Sequence, residues 1–248
     1  MKKIKLNENF LTTPIAHRGL HSDTVSENSI SAYKLAIEKG YPIEIDTHLL
    51  KDGRIAVVHD SDLTRVTGKT AIVENLTSEE LKNYELKLSH EKIPLLEEIL
   101  ELVDGKVPLL IELKFNDGLN KQHALTVLKI LEGYKYKNKV ALQTFHPFGV
   151  RFLKKHTDDY SVGLLATYDY KKGKFTTNLL KSLKLYYFIH ADFMSYDILY
   201  LPNKYVSKKR KHGEQLLVWT IRNNELKEKA SKIADNIIFE KIELWVIN

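Results

Sequence analysis

The chain has 248 residues, 38 Lys plus Arg against 32 Asp plus Glu (formal net charge +6), 43% hydrophobic residues and no cysteine, which describes a soluble globular protein. The missing cysteine excludes structural disulfides, thiolate zinc sites and a cysteine nucleophile, so any chemistry falls to His, carboxylates, Lys or hydroxyls. The moderate positive charge favours anionic partners, such as phosphate esters, acidic lipid surfaces or nucleic acid, and selects none of them.

Met1 to Asn9 contains lysines but no apolar stretch behind them of the roughly 7 to 15 residues that a secretory signal needs, so a cytoplasmic location is expected. No segment approaches the roughly 18 to 20 apolar residues of a membrane-spanning helix. Short apolar runs then alternate with helix-period segments to the end of the chain. The predicted strands centre on Ile15-Ala16, Ile43 to Ile45, Leu109 to Leu113, Val140 to Leu142, Ser161 to Leu165, Phe188-Ile189, Leu216 to Trp219 and Ile237-Ile238. Most are continuously apolar, as strands covered on both faces must be.

Between them, Asn28 is the expected N-cap of a helix through Ile30, Tyr33, Ala36 and Ile37 that Gly40 closes. Lys51-Asp52-Gly53-Arg54 reads as the turn of a hairpin inserted after the second strand. Leu63 to Lys92 is the expected departure from regularity, with a Thr77/Glu80 capping box inside it. Ala124, Val127, Leu128 and Leu131 make a helical stripe before Gly133, and Leu226, Ala230 and Ile233 make another after Asn224 as cap. With no internal repeat, low-complexity tract or linker, residues 1–248 are expected to form one domain, an α/β (β/α)8 TIM barrel. A doubly wound open sheet is the alternative.

Chemistry-bearing residues gather where the first strands end. The first runs into His17-Arg18-Gly19, the second carries Glu44 and Asp46 two residues apart and so on one side, the hairpin ends in His59-Asp60, and the third ends in Glu112-Leu113-Lys114. Three carboxylates buried together repel strongly, and a hard divalent cation resolves the repulsion. An all-oxygen set favours Ca²⁺ or Mg²⁺, with Mn²⁺ as a third candidate. The plainer alternative is a structural ion network with Arg18 and Lys114. His17 and His59 suit proton transfer near neutral pH, and Arg18 and Lys114 suit a phosphoryl group. A metal, two proton carriers and two cations describe phosphodiester cleavage better than acyl or hydride transfer.

His17-Arg18-Gly19, Glu27-Asn28-Ser29, Glu44-Ile45-Asp46, His59-Asp60, Pro94-Leu95-Leu96-Glu97-Glu98 and Glu112-Leu113-Lys114 together resemble the ordered motif series of the glycerophosphodiester phosphodiesterases, joined more loosely by Gln143 to His146 and Val218 to Thr220. The resemblance implies a TIM barrel, a divalent metal, and hydrolysis of glycerophosphodiesters to glycerol 3-phosphate and an alcohol. It implies Glu44, Asp46 and Glu112 as metal ligands, His17 and His59 as the acid–base pair, and Arg18 and Lys114 at the phosphate. Phe145 and Trp219 fall where the family lines the pocket, and Glu27-Asn28 reads as structural. Near the last strand the family often has Asp-Gly, an apolar pair, Thr and Asp, where this chain has Asp235-Asn236-Ile237-Ile238-Phe239-Glu240. The rivals are a phosphodiesterase acting on lysophospholipids or phosphoinositides, and a barrel that only binds an anion.

The basic run Lys204 to His212 reads as the solvated face of a barrel helix, with anionic lipid contact second; no nucleic-acid partner is expected. His21, His48, His123, His156 and His190 read as ordinary polar residues.

Overall fold

A computed structural model describes residues 1–115, 118–170 and 174–242. Its strands are Ile15–His17 (β1), Ile43–Leu49 (β2), Ile55–Val57 (β3), Leu109–Leu113 (β4), Val140–Thr144 (β5), Ser161–Ala166 (β6), Phe193–Asp197 (β7), Gln215–Ile221 (β8) and Asn236–Phe239 (β9). All but β3 pair in parallel, and β1 joins both β2 and β9, so eight strands close into a barrel. The open-sheet alternative falls with that closure. β3 pairs antiparallel with the far end of β2, at Thr47 to Leu49, beyond the point where β1 stops at His17. This is the expected hairpin.

Helices cover the barrel between successive parallel strands, among them Ile30–Glu38, Lys121–Glu132 and Pro147–His156. Their caps follow the sequence with two shifts. Ser29, not Asn28, caps the first by accepting from the Ala32 amide, and Asn223, not Asn224, caps Asn224–Ser231. The capping box at Thr77/Glu80 is present. One predicted strand is displaced: Phe188-Ile189 lies in turns, and β7 begins at Phe193. Tyr186 and Ile189 are buried, so that aromatic, β-branched run supplies core without pairing, while Phe188 lies exposed with the Arg151 guanidinium 4.4 Å over its ring.

The two-residue strand period divides the core. Outward positions such as Ile43, Ile45, Leu109, Ile111, Leu216 and Val218 pack under the helices. Inward positions Ile15, Leu110, Ala141, Phe193, Leu217 and Ile238 fill the barrel's lower half, with Leu6 and Phe10 of the N-terminal arm joining them. Two residues further along each strand the inward position turns polar: His17 after Ile15, Glu112 after Leu110, Gln143 after Ala141, Glu240 after Ile238. The apolar floor thus gives way to a charged mouth within one pleat. Residues 50–93 form a smaller cluster of their own around Leu63, Val73 and Leu86, beside that mouth. Among the described residues, no helix is long and apolar enough to cross a membrane.

Candidate active site

A cavity of about 210 Å³ opens at the C-terminal ends of the strands, lined on one side by His17, Glu44, His59, Glu112 and Lys114 and on the other by apolar groups including Phe145, Leu165 and Trp219. It is smaller than the roughly 300 Å³ at which drug-sized pockets begin, so it suits a small polar group with the rest of a ligand outside. Phe145 and Trp219 meet edge to face, ring centres 5.5 Å apart.

Parallel pairing of β2 and β4 sets Asp46 level with Glu112. Carboxylate oxygens of Glu44, Asp46 and Glu112 lie within 4.8 Å of one another, all buried. Lys114 Nζ bridges Asp46 Oδ1 at 2.8 Å and Glu112 Oε1 at 2.7 Å, and Arg18 Nε stands 3.2 Å from Asp46 Oδ2. The Asn28 amide donates to Asp46 Oδ2 at 3.0 Å and is itself held by the Tyr33 hydroxyl at 2.7 Å. Asn28 adopts φ +52° to make this contact, which frees Ser29 to cap the helix.

The charges around these acids are unevenly shared. Burial opposes ionisation of Asp46, but Lys114 and Arg18 hold its carboxyl well below the usual range. Glu44 meets the Arg18 amide at 3.2 Å and His17 Nε2 at 3.9 Å. Burial together with Asp46 and Glu112 pushes its carboxyl well up. A further cation would relieve that repulsion, and three clustered oxygen donors without sulfur or nitrogen fit a hard divalent ion such as Ca²⁺ or Mg²⁺. The donor set therefore fits the metal that the motif series implies.

Each histidine is anchored through Nδ1. His59 Nδ1 donates to Asp60 Oδ1 at 2.6 Å, and His17 Nδ1 donates to Glu240 Oε2 at 2.6 Å. Both rings thereby keep Nε2 for the cavity. Burial pushes the His17 imidazole down to about 4, with Arg18 adding to that and Glu240 opposing it. Arg222 Nε donates to the other Glu240 oxygen at 2.5 Å. Glu27 accepts from Arg18 at 2.8 Å and from the two terminal Arg65 guanidinium nitrogens at 2.7 and 2.8 Å, while Arg65 Nε pairs with Asp60. One continuous ion network thus runs from the β1 loop to the His59 loop.

All nine residues singled out in the sequence, His17, Arg18, Glu44, Asp46, His59, Glu112, Lys114, Phe145 and Trp219, lie at this mouth. Two that sequence reasoning passed over are Glu240, treated only as a departure at the pocket wall, and Asp60, seen only as half of a motif. The period-two step from Ile238 was the signal for Glu240. His21, His48 and His123, read as ordinary polar residues, are buried; His21 Nε2 stands 3.6 Å from Glu240 Oε2.

A family model described as the glycerophosphoryl diester phosphodiesterase family matches residues 17–243. The chain belongs to this family. Among its relatives, a glycerophosphodiester phosphodiesterase of Caldanaerobacter subterraneus subsp. tengcongensis is 30% identical over 245 residues, 95% of this chain and 96% of that protein. Lysophospholipase D GDPD1 of Rattus norvegicus is 31% identical over 135 residues, 49% of this chain and 42% of that one. An Oleispira antarctica phosphodiesterase, solved in complex with the product sn-glycerol-3-phosphate, superposes with a TM-score of 0.79 over 94% of each chain at 22% identity, a likeness of fold. As a member of the glycerophosphodiester phosphodiesterase family, the protein is a phosphodiesterase enzyme on a TIM barrel. In that barrel the C-terminal mouth is the face where enzymes of this architecture carry their sites.

Proposed function

We propose that this enzyme cleaves glycerophosphodiesters to glycerol 3-phosphate and an alcohol, that Glu44, Asp46 and Glu112 hold one divalent cation, and that His17 and His59 carry protons. We propose further that the chain works as one domain. The observation that supports this most is the buried carboxylate trio, within 4.8 Å, beside two imidazoles each tied at Nδ1 to its own carboxylate.

When bound, the cation supplies positive charge to a phosphoryl oxygen and acidity to an adjacent hydroxyl. The chain's own groups do the rest. Arg18 and Lys114 offer donors and charge to the phosphoryl oxygens. One imidazole takes the proton of the attacking hydroxyl through Nε2 as the new P–O bond forms, and the other delivers a proton to the departing alcohol oxygen as its P–O bond breaks. The attacking hydroxyl belongs to water, or to the glycerol moiety, in which case a cyclic phosphate is released first and then hydrolysed. Phe145 and Trp219 make an apolar wall against the glycerol carbons or the leaving group.

The test is turnover of glycerophosphocholine by His17→Ala and His59→Ala, each expected to lose about 10² to 10⁴ in rate. Parent-like turnover by either variant removes that histidine from the reaction. Chelation is expected to abolish activity and Ca²⁺ or Mg²⁺ to restore it, and calorimetric binding of the ion is expected to vanish in Glu44→Gln. Activity that survives exhaustive chelation removes the metal.

A lysophospholipid is the second reading. It is favoured by Leu199, which lines the cavity and is 62% exposed at its rim, where an acyl chain could rest, and by the lysophospholipase D among the relatives. Lysophosphatidylcholine hydrolysed faster than glycerophosphocholine would rank it first.

A further inference from the structure

His59 sits on a loop, with its side chain 32% exposed, so its place at the cavity that Glu44 and Glu112 also line has to be enforced from below. Two backbone groups do this. The Val58 amide donates to the Asp46 carbonyl at 3.1 Å, and the His59 carbonyl accepts from His48 Nε2 at 3.1 Å. His48 continues the inward face of β2 after Glu44 and Asp46, and its side chain has no exposed surface. Its other nitrogen, Nδ1, donates to Glu74 Oε1 at 2.7 Å, so the two bonds together need a proton on both ring nitrogens, with the Glu74 carboxylate as counter-charge, and Glu74 Oε2 accepts from the Ser61 hydroxyl at 2.5 Å. Glu74 lies in the 3-10 turn Val73–Asn75, which is stitched to the same loop by Val73 N to Ser61 O at 2.8 Å and Leu63 N to Ala71 O at 2.9 Å.

From this arrangement we infer that Glu74 and His48 are positioning residues for His59. The side chain of Glu74 orients the His48 ring, and that ring holds the His59 peptide on the strand that carries Asp46. Neither side chain lies between the reacting groups: Glu74 reaches His59 through His48 and Ser61, and His48 faces the His59 carbonyl rather than its ring. The brace also gives residues 50–93 a purpose beyond packing, because the element that supplies Glu74 is the same insertion whose loop supplies His59. The inference rests on His59 taking part in the reaction, as proposed above.

Glu74 is one-third exposed, so Glu74→Ala is expected to fold. Its kcat should fall about 10- to 100-fold, the cost of displacing a reacting group by about an ångström, with KM changed less than threefold. Glu74→Gln should recover part of the loss, because its amide oxygen accepts from His48 and its amide nitrogen donates to Ser61, while the carboxylate's charge is missing. His48→Ala should lose kcat to a similar degree, and the His48→Ala/Glu74→Ala pair should lose little more than either single variant, since each breaks the chain from Glu74 through His48 to His59. In metal-free protein labelled with ¹⁵N-histidine, the His59 ring resonances should shift in Glu74→Ala while those of His17 stay put.

Parent-like kcat in Glu74→Ala together with an inactive His59→Ala would overturn the brace and leave the catalytic assignment standing. An active His59→Ala would instead overturn the assignment itself. Equal disturbance of His17 and His59 signals in Glu74→Ala, or no recovery in Glu74→Gln, would reduce Glu74 to a general structural role and also defeat the inference.

Discussion

Glu240 illustrates how one side chain at a strand end can define a neighbour's chemistry. Its burial opposes ionisation, yet the His17 hydrogen bond holds its carboxyl well below the ordinary range, so it stays an acceptor for Nδ1. An amide at this position can turn its NH₂ toward Nδ1 and favour the wrong tautomer. Glu240→Gln is therefore expected to lower turnover by at least about 10²-fold with little change in thermal midpoint, and ¹⁵N shifts of His17 should report the altered tautomer. Unchanged turnover would detach Glu240 from His17's role. The residue sits where the motif series has Asp, and the longer side chain still reaches the ring at 2.6 Å. Gly19 is constrained in a different way. At φ +79° a Cβ there would stand 2.9 Å from Ala32 Cβ and Tyr33 Cδ1, so the turn that presents His17 and Arg18 tolerates only hydrogen.

At the scale of elements, seven of the eight barrel strands were legible because continuous apolar runs with polar ends are what a doubly covered parallel strand requires. β7 was the exception. Composition made Phe188-Ile189 look like a strand, but pairing belongs to Phe193–Asp197, where β6 and β8 receive it at Gly163 and Gln215. The basic helix Lys204–Arg210 was placed correctly and its character only partly. Lys209 is tucked over the Tyr187 ring at 3.6 Å, and Arg210 pairs with Asp235, so only part of that run is a solvated face. The N-terminal arm is the other element that pattern did not reveal. Lys154, with no exposed side-chain surface, donates to the Lys2 carbonyl and to Asp192, whose other oxygen accepts from the Ile4 amide. Removing one partner of a buried pair leaves the other charge uncompensated. Lys154→Met is expected to lose about 3 to 5 kcal/mol in chemical denaturation, with turnover of the folded fraction retained. A loss under about 1 kcal/mol would mean that the arm docks by its apolar residues alone.

For the molecule as a whole, the ion network around the mouth contributes to acid stability. Burial opposes ionisation of Glu27, yet Arg65 and Arg18 bring its carboxyl down to about 2, and His48 and Ser61 do the same for Glu74. Both ionise more readily folded than in the unfolded chain, where Glu titrates near about 4.3. The unfolded state then binds more protons between these values, so the stabilisation is complete above about pH 4.5 and is lost as pH falls toward 2. Denaturation midpoints across pH 2 to 6 should show this slope flattened in Glu27→Gln, and an unchanged slope would place the acid sensitivity elsewhere.

What the sequence determined on its own was the βα rhythm, the hairpin after β2, and the residue types at the strand ends, because these follow from local periodicity and chain order. Tertiary structure alone decided which distant groups meet. Glu240 reaches His17 across 223 positions of chain, and Asp46 stands beside Glu112 only because β2 and β4 pair in one register. Closure of a barrel brings the first and last strands side by side, a non-local contact that no window along the chain contains.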